Sequence, residues 1–140
     1  MIPRPDKALT DIAVKLAMSI APQIGASYHA ANAGMISMLL LALAQDADRA
    51  VANRLADVEE LKALFERALA DPQAPGADRL RAFCESEPPG WLLSQLSVWH
   101  DTGMALLIEL HVWAESQHPE LDRSIWDFLY HHTERNRFDV

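Results

Sequence analysis

Three side chains on a predicted helix in the last third of the chain could bind a metal ion. His111, Glu115 and His118 follow i, i+4, i+7 spacing, which places two imidazoles and a carboxylate close together on one helical face. Helical bundles hold metal ions through such side chains, but two-metal sites need a second Glu-x-x-His element. The sequence has that element only at residues 115–118. We therefore weigh a metal site against an ordinary i, i+4 pair between His111 and Glu115.

A second group of polar side chains could line a small ligand pocket. His29 and Asn32 lie beside a very apolar run, and Trp99, His100 and Asp101 lie on a later predicted helix. A histidine beside a carboxylate can act as an acid/base pair where such residues meet. A hydrogen-bonded network in the core accounts for the same residues, because buried polar groups need partners whether or not they do chemistry.

The elements that carry these residues are predicted to be α-helices. Apolar residues recur every three or four positions through the first half of the chain, at Ile36, Leu40, Leu43, Ala47, Val51, Leu55, Val58, Leu61, Phe65 and Leu69. Only a helix places such positions on one face. A second stripe runs through the last third, from Leu92 to Trp113. We predict an all-α, up-and-down bundle of four main helices and one short connecting helix, with a long second helix.

Proline and glycine mark where these helices end. The breaks at residues 22–25, 71–76 and 87–90 predict helices at about 6–21, 27–70 and 78–85, then one from about 91 and a last one from Pro119. The second helix is predicted to be either one long rod or two collinear pieces with a weak point near Gly34 or residues 45–48. Its apolar run at 35–44 is expected to be enclosed by neighbours, and its polar second half to lie at the surface. No linker divides the sequence, so residues 1–140 are predicted to form one domain.

Composition excludes several classes of function. The formal net charge of −8 argues against nucleic acid and against an anionic membrane surface. The apolar run at 35–44 is about half the ~20 residues of a membrane span, and the N-terminus has no pattern of an export signal. Cys84 is the single cysteine, which fits a reducing cytoplasm. Phosphate-binding glycine loops and the common hydrolase motifs are absent from the sequence.

These observations favour a protein that works by association. We expect a cytoplasmic, non-enzymatic helical bundle that needs no cofactor and forms a homodimer or binds another protein, through the stripe of the second helix or the aromatic-rich last two helices. On this hypothesis Val58→Asp should give folded monomers. The alternative is a bundle that binds a small ligand or a metal ion and has enzymatic activity, through His111, Glu115 and His118 or the pocket around His29.

Overall fold

The computed structural model describes residues 4–139, which form helices joined by short loops and contain no strand. The helices are α1 (Pro5–Lys15), α2 (Ser27–Ala68), α3 (Ala77–Glu85), α4 (Leu93–Gln117) and α5 (Pro119–Arg135). A π-helical turn at Leu16–Ile20 and a 3-10 turn at Ala21–Gln23 follow α1. The predicted all-α fold, with a long second helix and a short connecting one, is confirmed.

The helix ends follow the proline and glycine positions. Pro119 begins α5, where a missing N–H costs nothing because the first turn has no internal acceptor for it. Gly76 precedes α3 with a φ of 62°, a left-handed backbone that other residues adopt at a cost. The predicted weak points in α2, at Gly34 and residues 45–48, are helical in the structure. The prolines and the glycine of residues 71–76 therefore mark the end of α2, whereas the lone Gly34 does not break the helix.

The described chain forms two compact units. The N-terminal unit comprises the described residues of Met1–Ala50 and Arg137–Val140, and the C-terminal unit comprises Val51–Asn136. α2 contributes its first half to the former and its second half to the latter. The single-domain organisation of residues 1–140 stays a prediction.

The C-terminal unit has a conventional apolar core. Its buried side chains come from all four helices of the unit: Val58, Leu61, Leu64, Phe65, Ala68, Leu80, Phe83, Leu106, Leu107, Leu110, Ala114, Leu121, Ile125 and Phe128. Phe65 and Phe83 pack edge to face with ring centroids 5.5 Å apart, and Gly103 of α4 lies directly against Phe83. The second half of the predicted apolar stripe is thus confirmed as a core face. The opposite side of this half of α2 is polar.

The N-terminal unit buries small residues and exposes large ones. Its buried residues are Ala13, Ala33, Ser37, Ala44 and Ala50. The side chain of Leu39, by contrast, is 63% exposed. The expectation that neighbours enclose residues 35–44 is therefore wrong within this chain. A run that is apolar on every side does not itself specify how many neighbours it has, and here only one side is covered.

Candidate functional site

A buried carboxylate, Asp57, lies at the centre of a charged cluster in the C-terminal unit. Asp57 is only 1% exposed to solvent. Its Oδ2 accepts hydrogen bonds from His100 Nε2 at 3.1 Å and from His132 Nδ1 at 2.7 Å. Its Oδ1 accepts from Arg135 Nε at 2.9 Å and lies 2.6 Å from Arg135 Nη2. Three helices, α2, α4 and α5, thus converge on one carboxylate, and we call these four residues the Asp57 cluster.

Two further carboxylates surround the Asp57 cluster. Glu60 Oε1 accepts from Arg135 Nη1 at 2.6 Å, and Glu60 Oε2 lies 3.2 Å from His131 Nδ1. On the other side, Asp101 Oδ1 lies 3.2 Å from His100 Nδ1. The His100 imidazole is therefore held at both nitrogens by carboxylates, Asp57 and Asp101, and the Arg135 guanidinium is held between Asp57 and Glu60.

These contacts fix the charge states of the cluster. Burial raises the pKa of Asp57, but hydrogen bonds from His100, His132 and Arg135 together outweigh it and lower that pKa to about 2. The hydrogen bond to Asp57 raises the pKa of His100 above its ordinary value, against the opposing effect of burial. Burial also raises the pKa of Glu60, and the hydrogen bonds from Arg135 and His131, with the charges of these residues, together reverse this to a net lowering. Asp57 is consequently ionised at neutral pH, and its hydrogen bond stabilises the imidazolium form of His100 relative to the neutral form.

The register of the three helices explains why these polar side chains meet. Asp57 is followed at i+4 and i+7 by the buried Leu61 and Leu64, so it lies on the core face of α2. His100 lies between Leu96 and Gly103 on the core face of α4, and His132 follows Ile125 and Phe128 at the same spacing on α5. His100 interrupts an apolar stripe, and Asp57 and His132 each lie at the end of one. A polar residue in register with a core face is the signal by which the sequence could have revealed Asp57, which the sequence reasoning missed, and the shared contact of His100 and His132 with Asp57.

The predicted metal residues lie at two separate places in the structure. His111 Nε2 is 3.9 Å from Glu115 Oε1, as helical spacing predicts, and 3.0 Å from Asp122 Oδ1 of α5. His118 Nε2 instead lies 3.4 Å from Asp71 Oδ2, and the His118 ring packs against the ring of Trp113. The third candidate ligand beside His111 and Glu115 is therefore Asp122, which comes from the next helix.

The predicted pocket residues divide between the two units. His29, which is exposed, and Asn32, which is half-buried, belong to the N-terminal unit. Trp99, His100 and Asp101 belong to the C-terminal unit, where Trp99 donates its indole N–H to Ser86 Oγ at 2.8 Å.

The Asp57 cluster is better suited to holding a charge than to moving a proton. A carboxyl group with a pKa of about 2 is no proton donor near neutral pH, and the N–H groups of His100 are both directed at carboxylates. General acid–base catalysis needs a pKa close to the working pH and a proton aimed at a substrate. Fixed nitrogen and oxygen donors that face one point are what a bound cation needs.

Comparison with known proteins gives no relative from which a role could be transferred: no family model, curated protein or solved structure matches the chain.

One helix of the described residues, α2, is long and apolar enough by length and composition to cross a membrane. Only 17% of its most apolar window is buried. Signal sequences and the core helices of soluble proteins can be as long and as apolar, although core helices are mostly buried and this window is not, so one such helix is a weak indication.

Proposed function

We propose that this protein acts by self-association, and that two copies pair through the outer face of the N-terminal unit. We call this surface the N-terminal apolar face. It consists of Ile12, Val14, Met18, Ile20, Tyr28, Met35, Ile36, Met38, Leu39, Leu41, Leu43 and Phe138, which are between 36% and 75% exposed. A cytoplasmic location, favoured by the composition, is part of the proposal.

The distribution of side-chain sizes supports a covering partner. Soluble monomers rarely leave large contiguous apolar patches exposed, yet the buried positions of this unit are alanines and a serine. Exposing bulky side chains while burying small ones forgoes about 25 cal/mol for each Å² of apolar surface left in water. This arrangement is favourable only if another surface removes those side chains from water.

The size of the face matches what a stable dimer needs. Twelve large side chains, about half exposed on average, present on the order of 1,000 Å² of surface per copy in total, spread over more than one side of α1 and α2, and a standard interface buries roughly 800 Å² per partner. Met35, Met38, Leu39, Ala42 and Phe138 also line an apolar groove of about 530 Å³. A ridge of side chains from a second helix would fit such a groove.

The charge pattern favours a second copy over a lipid bilayer. Residues 16–45, which carry nine of the twelve side chains of the face, contain no Asp, Glu, Lys or Arg, so this part of two faces can meet with little of the repulsion expected from a net charge of −8 on each chain. α1, in the same unit, carries Asp6, Lys7, Asp11 and Lys15, and charged side chains are costly in a hydrocarbon core. A two-fold dimer needs only that one patch be complementary to itself.

The proposal is tested by light scattering with in-line mass determination on untagged protein. The wild type should have the mass of a dimer, and Leu39→Glu should be a monomer with unchanged helix content. Ile108→Glu is the matched control, because Ile108 of α4 is 66% exposed and lies outside the N-terminal apolar face; it should remain a dimer. Val58→Asp is not a suitable variant, since Val58 is 1% exposed in the core of the C-terminal unit.

Two outcomes would overturn the proposal. One is a monomeric wild type at micromolar concentrations, and the other is a dimer that persists in Leu39→Glu. Flotation of the wild type with lipid vesicles, abolished by Leu39→Glu, would assign the face to a membrane instead.

A further inference from the structure

We propose that Asp57, His100 and His132 form a binding site for a divalent transition metal ion such as Zn²⁺. The site lies in the C-terminal unit, and it does not depend on the self-association proposed above. It also differs from the His111, Glu115 and His118 site that the helical spacing suggests.

The three candidate ligand atoms already lie close together. Asp57 Oδ2, His100 Nε2 and His132 Nδ1 come from three different helices and lie within 4.8 Å of one another. Zn²⁺ takes imidazole nitrogen and carboxylate oxygen at about 2.0–2.2 Å, which puts neighbouring ligand atoms roughly 3.3 Å apart in a tetrahedron. The distances from the Asp57 oxygen to the two nitrogens are 3.1 and 2.7 Å. The two oxygen–nitrogen distances therefore need to open by less than about 1 Å to admit an ion, and water or a ligand would supply the fourth position.

Two of the three ligands have the outer contacts that metal sites use to orient their side chains. Metal-binding histidines commonly donate their second N–H to a carboxylate, and His100 Nδ1 lies 3.2 Å from Asp101. Metal-binding carboxylates are themselves hydrogen-bonded, and Arg135 binds Asp57 through Oδ1 while leaving Oδ2 to the two histidines. Arg135 thus holds the carboxylate in place without occupying the ligand position.

The charges of the site balance when a dication is bound. Asp57, Glu60 and Asp101 supply three negative charges, and Arg135 supplies one positive charge. A divalent ion with neutral histidines brings the total to zero. Binding forms one bond from the metal to Asp57 Oδ2 and one to each ring nitrogen. The N–H protons on His100 Nε2 and His132 Nδ1 leave for the buffer, and nothing is oxidised or reduced.

The second cluster, His111, Glu115 and Asp122, is a weaker candidate. It offers one imidazole, and its Glu115 side chain is largely exposed. Water competes well for an ion held by exposed carboxylates, whereas two imidazoles and a buried carboxylate are a typical zinc set. This cluster therefore serves as the internal control.

The test is a titration of untagged, chelator-treated protein with Zn²⁺ by calorimetry, and with Co²⁺ by visible absorption. The wild type should bind one equivalent and release protons, and Co²⁺ should give the absorption of a site with nitrogen ligands. His132→Asn should bind about a hundredfold more weakly or worse, and Asp101→Asn, which keeps all three ligands, about tenfold more weakly.

Two histidine variants serve as controls. His131→Asn changes the neighbouring residue, which contacts Glu60 and not Asp57, and it should bind like the wild type. His111→Ala should also bind like the wild type. Folding of each variant is checked by circular dichroism, and because Asp101 is exposed, its variant tests the site even where His132→Asn fails to fold.

The proposal is overturned if the wild type binds neither ion, or if either Asp101→Asn or a folded His132→Asn binds as tightly as the wild type. Loss of binding in His111→Ala would move the site to the second cluster.

Discussion

Replacing Asp57 by asparagine should destabilise the protein by about 2–4 kcal/mol at pH 6. The fall of the Asp57 pKa from 3.8 to about 2 corresponds to roughly 2.5 kcal/mol, at about 1.36 kcal/mol per pH unit. The amide cannot accept from two imidazoles and a guanidinium at once, so part of the buried charge on His100 and Arg135 loses its partner. Breaking a buried ion pair typically costs about 3–5 kcal/mol, and the remaining contact of Arg135 with Glu60 offsets part of this.

The difference in stability between the wild type and Asp57→Asn should be largest at an intermediate pH and should decrease at both lower and higher pH. The pKa of Asp57 is lowered by folding, so its contribution is present above its ordinary value of 3.8 and is lost as the pH falls towards 2. The pKa of His100 is raised by folding, so its contribution is present below its ordinary value of 6.5 and is lost as the pH rises through the folded value. The substitution removes both contributions. The difference should therefore be largest between about pH 5 and pH 6.5.

Urea unfolding followed by circular dichroism, at pH values from 3 to 9, measures this difference. Glu59→Gln is the matched control, because it removes one carboxylate charge from an exposed neighbouring position of α2 and should stay within about 0.5 kcal/mol of the wild type. A gap below about 1 kcal/mol at pH 6, or one that is the same at pH 3 and pH 6, would refute the role assigned to these hydrogen bonds.

Two further predictions concern the C-terminal unit. Gly103→Ala should destabilise this unit by about 1–2 kcal/mol in urea unfolding, because a Cβ there would lie 2.5 Å from Phe83 Cζ. The cost of this overpacking exceeds the gain in helix propensity of about 1 kcal/mol. A variant as stable as the wild type, or more stable, would contradict the packing. The exposed neighbour Thr102→Ala is its control and should change stability by a few tenths of a kcal/mol. Cys84 should react with iodoacetamide more slowly than free cysteine at pH 8, because burial, followed by the charge of Glu66, raises its thiol pKa; an equal rate would show that the thiol is not so shielded.

The fold was largely predictable from the sequence because helix ends depend on local chemistry. Pro119 and the segment 71–76 act through their own backbone geometry, so they mark boundaries without reference to the rest of the chain. The core face of the second half of α2 was predictable for a related reason. Its apolar residues recur every three or four positions with charged residues between them, so only one side of the helix can be buried.

The burial of residues 35–44 was not predictable, because their apolar character is the same on all sides. Whether such a segment is enclosed depends on which helices pack against it. In and next to this segment of α2, the buried positions are Ala33, Ser37 and Ala44, and Met35 and Leu39 are exposed. Local sequence does not determine that choice.

The candidate site was partly visible in the sequence. His100 and Asp101 are adjacent, and the sequence singles out both as candidate pocket residues, but Asp57 lies 43 residues from His100 and 75 from His132. Periodicity shows that each of the three residues is in register with an apolar stripe. It does not show that the three positions lie at the same level of the bundle, because that depends on loop lengths and helix offsets.

The cost of burying the Asp57 cluster bears on why it is present. Removing charges from water costs several kcal/mol per ion, and replacing a buried ion pair by apolar residues of similar volume is often neutral or stabilising by about 1–4 kcal/mol. The apolar set Asp57→Leu, His100→Leu, His132→Leu and Arg135→Met should therefore fold with at least the stability of the wild type at pH 7, measured by urea unfolding. It should also fail to bind Zn²⁺. Retained stability with lost binding would mean that the ligand, and not the fold, requires these charges, whereas a loss of several kcal/mol would make the network itself the structural element.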